Sequence, residues 1–225
     1  MKTSVNNRKN YRAVIFDLDG VICHTDKYHF QAWKSLADQL GIYFDEQINN
    51  RLRGVSRMES LEIILERYAG EALSDERKQQ LASDKNDIYR RLLNNMSPAD
   101  LSDCVPAALN QLRELGWKLA IGSSSKNAPF ILEQIGLGGY FDAISDGNNI
   151  SFSKPDPEIF LKAARYLGLE PELCIVVEDA EAGVEAAHRA GMPAIAIGDA
   201  ANQGKGDFRI REFSELIELV MRIDG

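Results

Sequence analysis

Two carboxylates one residue apart, Asp17 and Asp19, are the residues whose types and spacing point most directly to chemistry. They follow an apolar run at residues 14–16 and are followed at once by Gly20. Because side chains alternate along a strand, both acids leave on the same face, and the glycine permits a sharp turn beyond them. Like charges this close repel each other, so the pair predicts a site that handles a cation, a proton or a phosphate. The alternative is a solvated strand end with two incidental acids.

A second acidic pair, Glu178 and Asp179, ends another apolar run at residues 174–177. With Asp17 and Asp19 it makes four oxygen donors on neighbouring predicted strands. Hard oxygen ligands suit magnesium, so the two pairs together predict a magnesium site. The alternative is a helix N-terminus that favours acids through its dipole, which explains one acid better than a pair.

Small hydroxyl and cationic side chains follow the predicted strand at residues 118–121, in the segment 122–127 with the sequence Gly-Ser-Ser-Ser-Lys-Asn. Hydroxyl and backbone donors at a helix N-terminus bind anions. A serine there is also a common helix N-cap, and both roles are compatible. The segment predicts an anion site.

Lys154 stands directly before Pro155-Asp156-Pro157. The prolines fix the backbone and start a helix, so the lysine is held at a defined place in a loop. Its compact cation suits the neutralisation of phosphate charge. The alternative is a solvated surface lysine.

The elements that must position these residues alternate between strands and helices. The predicted strands are residues 12–17, 117–122, 141–145, 173–178 and 193–198, and the predicted helices between and after them are 106–115, 128–135, 157–167, 180–190 and 213–223. This alternation predicts an α/β fold, a Rossmann-like doubly wound parallel sheet, with ligands at the carboxyl ends of its strands. Residues 199–209 are rich in Gly, Asp and Asn and predict a surface loop.

Residues 25–96 break the alternation because their patterns are almost entirely helical, at 29–40, 46–52, 57–68 and 75–94. We therefore predict an inserted helical cap over residues 25–96 and a catalytic core made of residues 1–24 and 97–225. A helical insertion directly after a site strand is placed to act as a lid.

Composition limits the classes of function. The chain has 225 residues, 44% of them hydrophobic, and a net charge of −8, which argues against binding to nucleic acid or an anionic membrane surface. No run is long enough for a membrane span. The first ten residues are polar and basic without an apolar core, so we expect no secretory signal there. The three cysteines are odd in number and widely spaced, which predicts free thiols in a cytoplasmic protein.

The motifs 17–21, Ser123, 154–155 and 178–179 resemble, in order and spacing, the four motifs of the haloacid dehalogenase-like superfamily. Five further stretches resemble the β-phosphoglucomutase group of that superfamily: residues 28–33, 52–57, 85–87, 97–100 and 125–127. The resemblance covers nearly the whole chain after the first ten residues and implies an isomerase that transfers phosphoryl groups within sugar phosphates.

The resemblance implies a role for each motif residue. Asp17 is the nucleophile that forms an aspartyl phosphate, and Asp19 is the general acid and base. Ser123 hydrogen-bonds the transferring phosphoryl group and Lys154 neutralises its charge. One Mg²⁺ is held by Asp17, the main-chain carbonyl of Asp19 and the two acids Glu178 and Asp179.

The implied reaction interconverts β-D-glucose 1-phosphate and glucose 6-phosphate, with β-glucose 1,6-bisphosphate as intermediate and activator. Arg57, Ser125, Lys126 and Asn127 bind the phosphate that is not transferred, Lys85 reaches it from the cap, and His29 couples cap closure to Asp19. The full set of implied substrate-binding residues is Thr25, His29, Trp33, Arg53, Gly54, Val55, Ser56, Arg57, Lys85, Ser124, Ser125, Lys126 and Asn127.

Three positions depart from the group's usual residues: His24 replaces an acid at the hinge, Arg53 a lysine and Ser124 an alanine. None of them removes a proposed catalytic group. Sugar phosphates are the implied partners and a monomer the implied state. Two other functions stay open at this point, a sugar-phosphate phosphatase and a non-catalytic phospho-ligand binding protein.

Overall fold

The computed structural model describes residues 10–52, 55–101 and 104–224. Within these ranges one sheet of six strands runs in the order β3-β2-β1-β4-β5-β6, with every neighbouring pair parallel. The strands are β1 Ala13–Phe16, β2 Lys118–Gly122, β3 Ala143–Ser145, β4 Cys174–Glu178, β5 Ala194–Ala196 and β6 Phe208–Arg209. The predicted doubly wound parallel sheet is confirmed.

Ten α-helices are present in the described part of the chain. They are α1 Asp26–Gln39, α2 Glu46–Asn50, α3 Arg57–Leu65, α4 Asp75–Leu93, α5 Cys104–Glu114, α6 Ala128–Gln134, α7 Glu158–Leu167, α8 Glu181–Arg189, α9 Gly198–Asn202 and α10 Leu216–Asp224. None of the described helices is long and apolar enough to cross a lipid bilayer.

The central strand β1 shows why the sheet forms here. All four of its side chains are fully buried, as expected of a parallel strand covered on both faces. Val14 and Phe16 belong to one hydrophobic cluster, whereas Ala13 and Ile15 belong to a second cluster that includes side chains of α7 and α8. The alternation along β1 therefore fills two separate cores, one on each face of the sheet.

The prediction of a surface loop at residues 199–209 agrees with residues 203–207 and is wrong at both ends of the segment. Helix α9 occupies residues 198–202, and Phe208 and Arg209 pair with Ile195 and Ala196 of β5 as the last strand of the sheet. Strand β6 forms because β5 offers backbone N–H and C=O groups at its edge. The local sequence of residues 208–209 carries no signal for this pairing.

Residues 26–93, as far as they are described, form four helices and no strand. Their apolar side chains make a third hydrophobic cluster, which includes Trp33, Leu36, Leu61 and Leu81. Other side chains of α1 and α4, such as Tyr28 and Tyr89, join the cluster of the sheet instead. The helical content agrees with a cap, and the division into a core and a cap at residues 25 and 96 stays a prediction.

Candidate active site

The carboxyl ends of β1 and β4 bring two acids together. The strands pair with Phe16 opposite Val177, so Asp17 and Glu178 follow side by side; their exposed fractions are 7% and 1%. The Lys154 ammonium donates a hydrogen bond to Asp17 Oδ1 and another to Glu178 Oε1. The lysine is therefore the positive centre of a buried acidic cluster, a double contact that the sequence did not predict.

Burial and repulsion set the charges in this cluster. Burial raises the pKa of Asp17 well above its ordinary value, Lys154 opposes this rise, and Glu178 and Asp179 add to it. Burial, followed by repulsion from Glu178, raises the pKa of Asp179 to about 7. Burial alone would lower the pKa of Lys154, but Asp17 and Glu178 outweigh it and raise that pKa. The single ammonium of Lys154 is therefore outnumbered by the carboxyl groups of Asp17, Glu178 and Asp179.

The donor chemistry of the cluster fits magnesium, because the side chains available are carboxylates and the net charge is negative. A Cβ on Gly20 would overlap the Asp179 carboxylate, and a Cβ on Gly183 would overlap that of Glu178, so glycines make room for both acids. Within the described residues, no three Asp, Glu, His or Cys side chains stand in metal-ligating geometry. Lys154 bridges two of the acids in this arrangement.

Asp19 lies beyond the end of β1 on a tight turn. Gly20 has a φ of 87°, a left-handed conformation that glycine adopts without strain, and its N–H donates to the Cys23 carbonyl at 2.8 Å. The Thr25 hydroxyl donates to Asp19 Oδ1. Burial raises the pKa of Asp19 to about 6 although the Thr25 hydrogen bond lowers it. Asp19 can therefore change its protonation state near neutral pH.

Ser123 follows β2, the other neighbour of β1. Its side chain is buried, and its Oγ accepts a hydrogen bond from the Ser125 N–H at 3.2 Å. In turn, the Ser125 hydroxyl accepts one from the Asn127 N–H at 3.2 Å. Ser124 and Lys126 of this loop are exposed. The predicted anion-binding loop therefore starts beside Asp17 and leads into α6.

A buried lysine and a histidine meet between α1 and α4. The Lys85 ammonium, whose residue is 2% exposed, lies 3.0 Å from His29 Nδ1 and over the rings of Trp33 and Tyr89. Burial and the nearby Arg57 lower the pKa of Lys85 to about 7. Burial, Lys85 and Arg57 lower the pKa of His29 well below its ordinary value. A neutral imidazole then accepts the lysine's hydrogen bond.

Sequence reasoning missed Tyr89. Its ring stacks on that of His29 with centroids 4.0 Å apart, and it is almost fully buried. The available signal was its position four residues after Lys85 on α4, where two side chains share one face of a helix. Its contact with the histidine, however, depends on how α1 and α4 pack.

Arg57 and Asn127 converge on a third residue that sequence reasoning did not select. Arg57 Nη2 donates to Asn86 Oδ1 at 2.9 Å, and Asn127 Nδ2 donates to the same oxygen at 3.0 Å. Burial lowers the pKa of the Arg57 guanidinium. These contacts bring together two of the residues predicted to bind the second phosphate.

The other predicted substrate-binding residues have varied surroundings. The Ser56 hydroxyl caps α3 by accepting from the Glu59 N–H at 3.3 Å, and Val55 is exposed. Trp33 is buried in the third hydrophobic cluster, among helices α1 to α4. Arg53 and Gly54 lie outside the described residues.

The parallel sheet and the acidic cluster beside Asp17 define the class of the protein. The sequence matches the haloacid dehalogenase-like hydrolase family over residues 11–191, and the chain belongs to that family. It is 43% identical over 206 residues to the β-phosphoglucomutase of Bacillus subtilis (strain 168), a match that covers 91% of each chain.

The crystal structure of the β-phosphoglucomutase from Clostridium difficile superposes with a TM-score of 0.87 at 36% identity, covering 95% of this chain and 97% of that one. The resemblance to the β-phosphoglucomutase group is confirmed. The expectation that the protein is an isomerase is confirmed as well. Phosphatases are also similar: the fructose-1-phosphate phosphatase of Escherichia coli (strain K12) is 32% identical, with 83% of this chain and 96% of its own covered.

Proposed function

We propose that the protein is a magnesium-dependent β-phosphoglucomutase, which interconverts β-D-glucose 1-phosphate and glucose 6-phosphate through β-glucose 1,6-bisphosphate. The observation that carries the proposal is a pair of hydrogen-bond donors, Arg57 and Asn127, which meet on Asn86. In this proposal they bind the phosphate that is not transferred. A mutase must hold one phosphate while it transfers the other, so it needs a site for each. The similarity to two β-phosphoglucomutases supports the same substrate.

Asp17 is the nucleophile in this proposal. One of its oxygens is held by Lys154, which leaves the other to attack phosphorus and form an aspartyl phosphate as the sugar oxygen departs. The lysine reduces the repulsion between the carboxylate and the incoming phosphate. The Ser123 hydroxyl accepts a backbone N–H, so its own proton remains for an oxygen of the phosphoryl group.

Asp19 moves the proton. In its acid form it protonates the departing sugar oxygen, and in its base form it takes the proton from the attacking sugar hydroxyl. A pKa of about 6 suits both directions near neutral pH, because a general acid or base works best with a pKa close to the working pH. Thr25 holds the Asp19 side chain in place for this exchange.

Asp17, the main-chain carbonyl of Asp19, Glu178 and Asp179 are the groups that would hold Mg²⁺. When bound, the ion supplies positive charge that offsets the acids and the phosphate. β-Glucose 1,6-bisphosphate is the activator because it can phosphorylate Asp17. A cytoplasmic location and a monomeric state complete the proposal.

The Lys85–His29 pair is the proposed link between the cap helices and the acid–base residue. Lys85 lowers the pKa of Asp19 through its charge while its ammonium contacts His29 on α1. If Asp19 reaches its working position only when the cap helices close over the site, it cannot activate water while the site is open. The aspartyl phosphate is then protected from hydrolysis.

A paired assay tests the proposal. The enzyme receives β-glucose 1-phosphate, Mg²⁺ and a trace of β-glucose 1,6-bisphosphate, and glucose 6-phosphate and free phosphate are followed together. A mutase forms glucose 6-phosphate with little free phosphate. Release of phosphate without isomerisation would instead establish a sugar-phosphate phosphatase, the alternative that the similarity to the Escherichia coli enzyme favours. Binding without turnover would refute both enzymes.

A further inference from the structure

We propose that Asn86 is a positioning residue that joins the cap helices to the core before substrate binds. Its side-chain carbonyl holds Arg57 and Asn127 side by side, so that both donors already converge when a phosphate arrives. The inference rests on the proposed function, because that function gives Arg57 and Asn127 their phosphate.

The hydrogen bonds connect three separate elements through one atom. Asn86 lies within α4, Arg57 is the first residue of α3, and Asn127 directly precedes α6 of the core. Both partners are donors, at 2.9 and 3.0 Å, and a carbonyl oxygen with two lone pairs accepts both bonds. Asn86 is thus a direct polar contact between a cap helix and the loop that follows β2.

The neutrality of Asn86 matters for the exchange with a ligand. Arg57 is partly buried, and the hydrogen-bond partner that the structure shows for its guanidinium is this amide. A carboxylate in the same place would form a partly buried ion pair that a phosphate would have to break. Bonds to a neutral acceptor are weaker than bonds to a charged one, so an amide can hold the guanidinium in place and still yield it to a phosphate.

Holding the donors in advance reduces the ordering that binding requires. Without the Asn86 carbonyl, Arg57 and Asn127 lose their shared acceptor, and α4 loses its hydrogen bonds to α3 and to the loop that follows β2. The effect should fall on binding and not on the chemical step, because the Asn86 carbonyl is hydrogen-bonded to Arg57 and Asn127, whereas the side chains of Asp17 and Asp19 are hydrogen-bonded to Lys154 and Thr25.

The test compares Asn86→Ala and Asn86→Asp with a matched control, Gln79→Ala, which removes an exposed amide from the same helix. The first measurement is hydrogen–deuterium exchange of the ligand-free protein. Asn86→Ala should speed exchange in the peptides that carry Arg57 and Asn127. Asn86→Asp should not, because its carboxylate still accepts from both donors. Melting temperatures establish that each variant folds.

The second measurement is steady-state kinetics with β-glucose 1-phosphate. Asn86→Ala should raise KM about tenfold, as expected for the loss of one or two neutral hydrogen bonds. It should leave kcat within about twofold, because the bound substrate and the transition state lose the same binding energy. Asn86→Asp should also raise KM, since its carboxylate retains Arg57. Gln79→Ala should match the wild type in both measurements.

Two outcomes would overturn the proposal: unchanged exchange in ligand-free Asn86→Ala, or an unchanged KM in that variant. The exchange measurement needs no substrate, so it separates this proposal from the proposed function. If the wild type lacks mutase activity while Asn86→Ala still loosens both peptides, the mutase assignment fails and the positioning role of Asn86 stands.

Discussion

Replacing Lys154 with methionine tests the electrostatic account of the site most severely. The ammonium is the shared partner of two buried carboxylates, Asp17 and Glu178. Removing one partner of a buried ion pair costs about 3–5 kcal/mol because the other charge is left uncompensated. A domain of ordinary stability has about 5–15 kcal/mol in total. We therefore expect Lys154→Met to lose a large part of its free energy of unfolding at neutral pH without metal.

The loss should depend on pH and on metal. The pKa of Asp17 is already raised by burial and by its acidic neighbours, and it rises further once Lys154 is gone. A raised carboxyl pKa destabilises the folded state as pH rises from about 4, the pKa of an unfolded Asp, and the full loss is reached above the folded pKa. Millimolar Mg²⁺ should restore most of the stability by supplying positive charge to the same acids.

Urea unfolding at pH 5.5 and 7.5, with chelator and with Mg²⁺, measures these effects. Lys205→Met is the control, because Lys205 pairs with Glu181 at the surface, with 42% of its side chain exposed, and such pairs contribute about 0–1 kcal/mol. Turnover by Lys154→Met should fall by about 10²-fold or more even with Mg²⁺, since the cation proposed to offset the charge of the phosphoryl group is lost. A metal-free Lys154→Met protein as stable as Lys205→Met at pH 7.5 would refute the reasoning.

Three further predictions concern single groups. Asp17→Asn should abolish turnover while circular dichroism shows an intact fold, and normal turnover would exclude Asp17 as the nucleophile. Thr25→Val removes a hydrogen bond that lowers the pKa of Asp19, so the acidic limb of the kcat/KM profile should move to higher pH; an unmoved limb would show that another group sets it. Arg57→Ala should lower kcat/KM for β-glucose 1-phosphate at least about tenfold, the effect of a lost charged hydrogen bond, and change hydrolysis of a small acyl phosphate much less. Equal losses on both substrates would count against a role for Arg57 at the second phosphate.

The sequence predicted the sheet well because its strands are continuous apolar runs. Residues 13–16 and 174–177 are buried on both sides, and burial on both faces leaves a signal in the strand itself. Strand β6 has two residues, and its pairing depends on β5. It was therefore predicted as a loop.

The residues of the candidate site also divide into those that the sequence predicts and those that depend on packing. Asp17, Asp19 and Glu178 were predictable because strand ends and alternation fix their positions. The double contact of Lys154 with two acids was not, since it depends on where the loop before α7 lies in space. Asn86 lies in the stretch 85–87 that resembles the β-phosphoglucomutase group, but the resemblance gave it no role. Only the packing of α4 against α3 and the loop that follows β2 brings its carbonyl to Arg57 and Asn127.

The central claim is that Asp17 receives a phosphoryl group and returns it to a sugar phosphate. The most direct test is to mix the enzyme and Mg²⁺ with β-glucose 1,6-bisphosphate labelled in its phosphoryl groups, quench with acid after milliseconds, and locate the label by peptide mass spectrometry. We predict label on the peptide that carries Asp17. When unlabelled glucose 6-phosphate is added, the label should leave this peptide and reappear in the bisphosphate. An unlabelled Asp17 peptide, or label that passes only to free phosphate, would contradict the account.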